Sequence, residues 1–327
     1  NSFYKFNKSI VFLRKILKRL MWVLLAFVSA FFLGFYDVAK KKSLNGNAVL
    51  SVLFCNTIFC AIIFLPFILV SAINPQLVQG SIFNASLASI YGDIPQILPI
   101  KAHLLVVLKA FIVLSSWIMG YYALKHLPIT IAGPVNATRP VLVLMGAVLL
   151  FGERLNLLQW GGVIISLFSL FLLSLSGRKE GIDFKSNKWV YILFGAVIMG
   201  AVSGLYDKFI MKQLPPLFVQ SWFNIYQVPI MGTVLLVMNR FTTATFQWRW
   251  WIPMISLFVS IADFAYFYAL SYDDALIAVI SMIRRGSVIV SFTAGALLFR
   301  EKNLKAKALD LALILVGLAL LCWGSIR

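Results

Sequence analysis

The chain has 327 residues, 61% of them hydrophobic and only 12% charged, with a mean hydropathy of +0.92. A soluble domain cannot bury that much apolar side chain, and a β-barrel would alternate in segments of about ten residues instead of running continuously apolar. The net charge of +18 does not call for nucleic acid, because most Lys and Arg fall in short clusters between apolar runs, where they meet anionic headgroups.

Taken in chain order, residues 1–19 come first. "FYKFNKSIVFLRKILKRL" is basic and amphipathic. It reads as a surface-lying segment or as an over-extended start ahead of Met21. A signal peptide is rejected, because the run from Leu20 to Val38 is long for an h-region. Ten apolar runs follow, at roughly 20–39, 48–73, 103–123, 128–150, 157–176, 189–209, 217–238, 250–270, 275–298 and 306–325. Each is near the ~20 residues that a bilayer-spanning helix needs. The expected fold is therefore an all-α polytopic membrane protein with ten spans and the lipid bilayer as its surroundings.

One connection is long, residues 74–100, and reads as an interfacial piece, a re-entrant piece or a plain loop. Its Asn84-Ala85-Ser86 matches a glycosylation acceptor, a triplet common by chance. Asn156 and Gln159 read as a capping box that opens the fifth span. Ala30-xxx-Gly34, Gly200-xxx-Gly204 and Gly162-xxx-Ser166 are small-xxx-small patterns that let helix backbones approach, within one molecule or at a homodimer seam. Cys55, Cys60 and Cys322 all lie inside apolar runs and suggest neither a disulfide framework nor a zinc site.

The chain repeats itself. Gly34, Tyr36, Asp37, Lys42 and Leu44 match Gly204, Tyr206, Asp207, Lys212 and Leu214. "YAL" at 122–124 returns at 268–270, "LLFGE" at 149–153 returns as "LLFRE" at 297–301, and Arg139 falls opposite Arg285. The offset shrinks from about 170 to about 146, a difference that the long connection accounts for. The division is then a first half over 20–177, a linker at 178–188 and a second half over 189–327. Five spans per half is an odd number, so the second half enters the membrane upside down. Inverted repeats of this kind build alternating-access transporters with a site near the midplane.

"HLPITIAGPVNATRPVLVLMGAVLLFGERLNLLQWGGVIISLFSLFLLS" resembles the end of an EamA repeat of the drug/metabolite transporter superfamily. The marks are a Pro-interrupted fourth span, "LLFGE" and a Gly-rich fifth span. "IAVISMIRRGSVIVSFTAGALLFREKNLKAKALDLALILVGLALL" resembles the end of the second repeat. The resemblance covers nearly all of the chain from about Met21. It implies ten helices in two inverted five-helix repeats, both termini in the cytoplasm of a bacterial inner membrane, and export or exchange of small metabolites. It names no substrate.

Arg139 lies about ten residues into the fourth span, and Arg284 and Arg285 about ten into the ninth. At 1.5 Å per residue that is about 15 Å deep, near the centre of a ~30 Å core. Each arginine there costs roughly 2.5–3.5 kcal/mol. Asp263 is the one acid expected at that depth, and its repeat mate is Trp117. Three arginines against one aspartate would leave a positive interior, suited to a carboxylate or phosphate held by the planar guanidinium fork. The basic pair in span nine also resembles that of the plastid phosphate-sugar translocators. The other reading is structural, with the arginines paired to Asp263 and to carbonyls freed by Gly133, Pro134 and Pro140. Asn136 beside that break reads either as a substrate contact or as part of a kink. Trp117, Tyr121, Tyr122, Tyr266 and Tyr268 read as cavity walls or as belt and packing residues.

The two Tyr-Asp pairs, Tyr36-Asp37 and Tyr206-Asp207, lie near span ends with lysines close by. In inverted halves they are expected at opposite faces, as gate fittings or as ordinary helix-end ion pairs, and not as two halves of one site. Glu153 and Glu301 read as end markers. His103 and His126 are about 34 Å apart on one helix and cannot share a metal or a triad. With no phosphate-binding glycine loop, neither a cofactor, a metal nor an ATP-driven engine is expected. The leading expectation is a secondary transporter of a small polar or anionic metabolite. The alternatives are a lipid-carrier flippase of the same superfamily, or a membrane-embedded enzyme acting on a lipid-linked substrate.

Overall fold

The computed structural model describes residues 2–73, 100–151, 156–178, 186–237, 246–272, 275–298 and 304–326. The loop over 74–99, its glycosylation triplet, Glu153 and Glu301 lie outside the described residues. Among those described, the secondary structure is entirely helical: α1 (Ser2–Leu44), α2 (Val49–Ile73), α3 (Ile100–His126), α4 (Ile129–Ala137), α5 (Arg139–Phe151), α6 (Leu157–Arg178), α7 (Lys188–Met211), α8 (Pro216–Val237), α9 (Trp251–Ser271), α10 (Ile277–Arg285), α11 (Ser287–Leu298) and α12 (Leu304–Ile326). Among the described residues, five helices are long and apolar enough to cross a membrane, over Met21–Leu44, Val49–Leu69, Ile100–His126, Lys188–Met211 and Trp251–Ser271.

The outer faces explain the hydropathy. On α1, Leu24, Phe27, Val28, Phe31 and Phe35 are exposed, while Trp22, Ala26, Ala30, Leu33 and Tyr36 are buried. On α3, Leu104, Leu108 and Phe111 point out, and Val106, Ala110 and Val113 point in. Both faces are apolar, as lipid on one side and helix packing on the other require. The basic N-terminal segment is not set off from the first apolar run: α1 continues through both as one helix.

Helices pack mainly on the opposite half of the chain: α1 on α9, α3 on α7, α2 on α8, and α6 on α12. Gly34 sets one of the closest approaches, since a Cβ there would sit 2.5 Å from the Val290 Cβ of α11. At the start of α6 the capping box forms as read from the sequence. Gln159 N–H donates to Asn156 Oδ1, and Asn156 N–H donates to Gln159 Oε1, both at 2.9 Å.

Two apolar runs are broken. The fourth divides at Thr138, whose hydroxyl donates to the Val135 carbonyl at 2.7 Å. Arg139 and Pro140 then open α5, where a proline costs no intrahelical bond. The ninth, expected as one continuous helix, divides at Gly286, whose N–H bonds to Ile283 O at 2.9 Å. No proline marks that second break.

Candidate functional site

The breaks in the two runs face one cavity of about 140 Å³. Arg139 enters it from the first turn of α5, Arg284 and Arg285 from the last turn of α10, and Ser287 from the first turn of α11. Asn136, from the end of α4, and Asp263, from the middle of α9, also line it, as does Trp117 of α3. Gly200 of α7 makes room for the guanidinium of Arg139, because any Cβ there would overlap it.

Of the residues singled out in the sequence, Arg139, Arg284, Arg285, Asp263, Asn136, Trp117, Tyr36, Asp37 and Asp207 line this cavity, as do Tyr121 and Tyr266; Tyr122 and Tyr268 do not, and neither does Tyr206. Its hydroxyl donates to Leu105 O at 3.1 Å, tying α7 to α3. Asp37 and Asp207, expected at opposite faces, both reach the cavity wall. Residues near helix ends in both halves line this cavity, so span-end position does not remove a side chain from it.

The charge count also differs from a single-acid interior. Five cations, Lys40, Lys109, Arg139, Arg284 and Arg285, face three acids, Asp37, Asp207 and Asp263. Each acid has a partner. Lys40 Nζ lies 2.8 Å from Asp37 Oδ1, and Arg284 Nη2 lies 2.6 Å from Asp263 Oδ1. Lys109, only 2% exposed, pairs with Asp207. Rings complete three of these settings. The Arg284 guanidinium lies 4.0 Å from the Tyr266 ring centre, Lys40 Nζ lies 4.4 Å from that of Tyr36, and Lys109 Nζ lies 4.6 Å from both Phe223 and Phe267.

Two cations remain. Among the described residues no carboxylate pairs with Arg139 or Arg285, and the Nε of each is buried without a hydrogen-bond partner. An arginine does not shed its proton to escape this. The N-termini of α5 and α11 add their positive dipole ends to the same place. The arrangement suits an anion held by two guanidinium forks.

Sequence reasoning missed Lys109, Phe223 and the cavity role of Lys40. A lone cation in the first half of an apolar run was the signal for Lys109. Lys40 was read as part of an interfacial cluster. His103 and His126 lie at opposite ends of α3, the first bonded to the Tyr226 hydroxyl at 2.7 Å, the second stacked on Trp189 at 3.5 Å.

The profile of the EamA-like transporter family matches residues 20–175. A solved structure described only as the crystal structure of a protein is similar over 91% of this chain and 95% of its own, with a TM-score of 0.60 and 17% identity. At that identity the likeness speaks for the fold alone. No curated protein matches the sequence.

Proposed function

From its membership of the EamA-like transporter family over residues 20–175, a family of membrane transporters in the drug/metabolite transporter superfamily, we propose that this chain is a secondary transporter that exports or exchanges a small organic anion by alternating access. The carrying observation is the surplus of charge in the cavity: three acids are all engaged, and Arg139 and Arg285 are left over. Two guanidinium groups at midplane depth are retained at a cost of roughly 2.5–3.5 kcal/mol each. A bound dianion offsets both.

The mechanism is that of two inverted five-span repeats, ten spans in all, with α4–α5 and α10–α11 each counted as one broken span. The packing supports this reading, because α1 on α9 and α7 on α3 are the same contact with the halves exchanged. Broken spans then set free backbone and helix N-termini around the substrate. Rocking of one set of helices against the other opens the cavity to each side in turn. The lysine-aspartate pairs bordering it serve as its gates. Both termini lie in the cytoplasm of a bacterial inner membrane, following the family resemblance.

The test is counter-exchange in liposomes loaded with labelled phosphate monoesters and dicarboxylates. Arg139→Gln and Arg285→Gln should each lower exchange at least about thirtyfold, the usual scale for removing one member of a desolvated charge contact. Exchange of the transported species that survives both substitutions overturns the anion site.

A further inference from the structure

Beside the cavity, α8 carries a row of uncharged polar side chains. Gln220, Asn224 and Gln227 recur at helical spacing, with Ser221 next to them, and their exposures are 1%, 2%, 0% and 3% respectively. Asn224 Nδ2 donates to Gln220 O at 2.8 Å. The others are not engaged: Gln220 Oε1, Ser221 Oγ and both amide atoms of Gln227 have no hydrogen-bond partner among the described residues. Trp22 Nε1, in the same packed cluster as Phe223, has none either.

Gln227 stands at the middle of α8 (Pro216–Val237), which on the ten-span reading above is the middle of the bilayer. An amide there with neither its donors nor its acceptor engaged is costly, and a methionine of similar length would pack without that cost. What recovers the cost is a ligand. The unengaged set includes donors and acceptors. A cation would satisfy only the acceptors and an anion only the donors, whereas a hydroxyl or an amide satisfies both.

The neighbouring residue on that face is Phe223, three residues after Gln220 and four before Gln227. Phe223 lines the cavity, and its ring centre is 6.5 Å from that of Trp117. Phe223 therefore links the two: it borders the cavity that holds Arg139 and Arg285, and it shares a helix face with both glutamines.

We propose that Gln220 and Gln227 form a polar annex to the cavity, behind Phe223, which takes an uncharged hydroxyl or amide group of the substrate. The inference rests on the anion reading above, and it narrows the substrate to an organic anion with a hydrogen-bonding substituent, not a plain inorganic or alkyl anion.

Matched probes test it on the full chain in nanodiscs: succinate against malate, and methyl phosphate against glycerol 3-phosphate, each pair comparing a plain anion with a hydroxylated one. Thermal stabilisation reads binding. For the wild type, the hydroxylated member should act at a concentration roughly three- to tenfold lower than its plain partner, the scale of one hydrogen bond. Gln227→Met should abolish that preference, bind the plain members unchanged, and melt no lower than the wild type without ligand. Gln220→Met should reduce the preference in the same direction. A wild type that binds plain and hydroxylated members alike, or a preference that survives both substitutions, overturns the annex and leaves the anion site standing. So does a Gln227→Met protein that melts far lower or fails to fold, since the amide is then a structural group. Failure of all four probes to bind the wild type overturns the anion site and the annex with it.

Discussion

The same four-residue pattern, Gly-x-Tyr-Asp, ends in two different settings. On α1, Asp37 pairs with Lys40 one turn along the same helix, and Tyr36 is buried against the cavity under that lysine. On α7, Asp207 pairs across the halves with Lys109 of α3, and Tyr206 turns away from the cavity to bond Leu105 O. Gly34 is pressed against Val290, whereas a Cβ at Gly204 would have only ordinary contacts, 3.7 Å from Val143 and 3.8 Å from Tyr266. Repeated sequence therefore does not mean repeated environment. One pair ties two halves together and the other ties a helix to itself. Under the alternating-access mechanism proposed above, a cross-half pair would hold one end closed and a local pair would leave its end free to move.

The largest effect that can break this comparison is on the acids. Asp207→Asn leaves Lys109 buried without a counter-charge, and should destabilise the protein by about 3–5 kcal/mol. Asp37→Asn also takes a partner from a buried lysine, but the Asp37 side chain is 22% exposed and Lys40 still lies over the Tyr36 ring, so the loss should be smaller than at Asp207. Thermal unfolding in detergent compares the two. Exchanging the charges, Lys109→Asp with Asp207→Lys, should recover part of the first loss. Equal losses at Asp37 and Asp207 would mean that the two pairs are equivalent after all.

The glycines come next. Gly34→Ala forces a methyl into Val290 and the Ser287 carbonyl, an overpacking worth about 1–3 kcal/mol. Gly204→Ala meets only ordinary van der Waals contacts and should be within about 0.5 kcal/mol of the wild type. The melting midpoints of the two alanine variants test the distinction directly. Similar midpoints would return the two helices to symmetric packing.

Much of this was legible in the sequence, and the failures have physical reasons. Each of the apolar runs corresponds to a helix or to a broken pair of helices, because a membrane leaves the backbone no other way to satisfy itself. Arg139 and Arg285 stood out because a fixed charge in an apolar run has few innocent explanations. Asp207 was placed at an interface because Lys208 follows it, yet successive helix residues point about 100° apart, and the aspartate is the one that turns inward. The break at Gly286 gave no local sign: without proline, only its repeat relation to the proline-marked break in the fourth run pointed to it. The glutamines of α8 were passed over because an amide scarcely lowers a hydropathy average. Their cost appears only when the hydrogen-bond partners are counted.

The smallest expected effect separates the two tyrosines. Tyr206→Phe removes the bond to Leu105 O, outside the cavity, and should cost about 0.5–1.5 kcal/mol of stability. Its effect on transport should be confined to what that loss of folded protein explains. Tyr36→Phe keeps the ring that Lys40 lies over and removes only a hydroxyl at the cavity wall, so its melting point should stay close to that of the wild type. Its effect should instead appear as a changed KM in the liposome assay, since Tyr36 lines the cavity in which the anion site is proposed. The two variants must therefore separate on two axes, stability for one and apparent affinity for the other. If Tyr206→Phe changes KM and Tyr36→Phe changes only stability, the assignment of the first half's tyrosine to the cavity and the second half's to the α3–α7 contact is reversed.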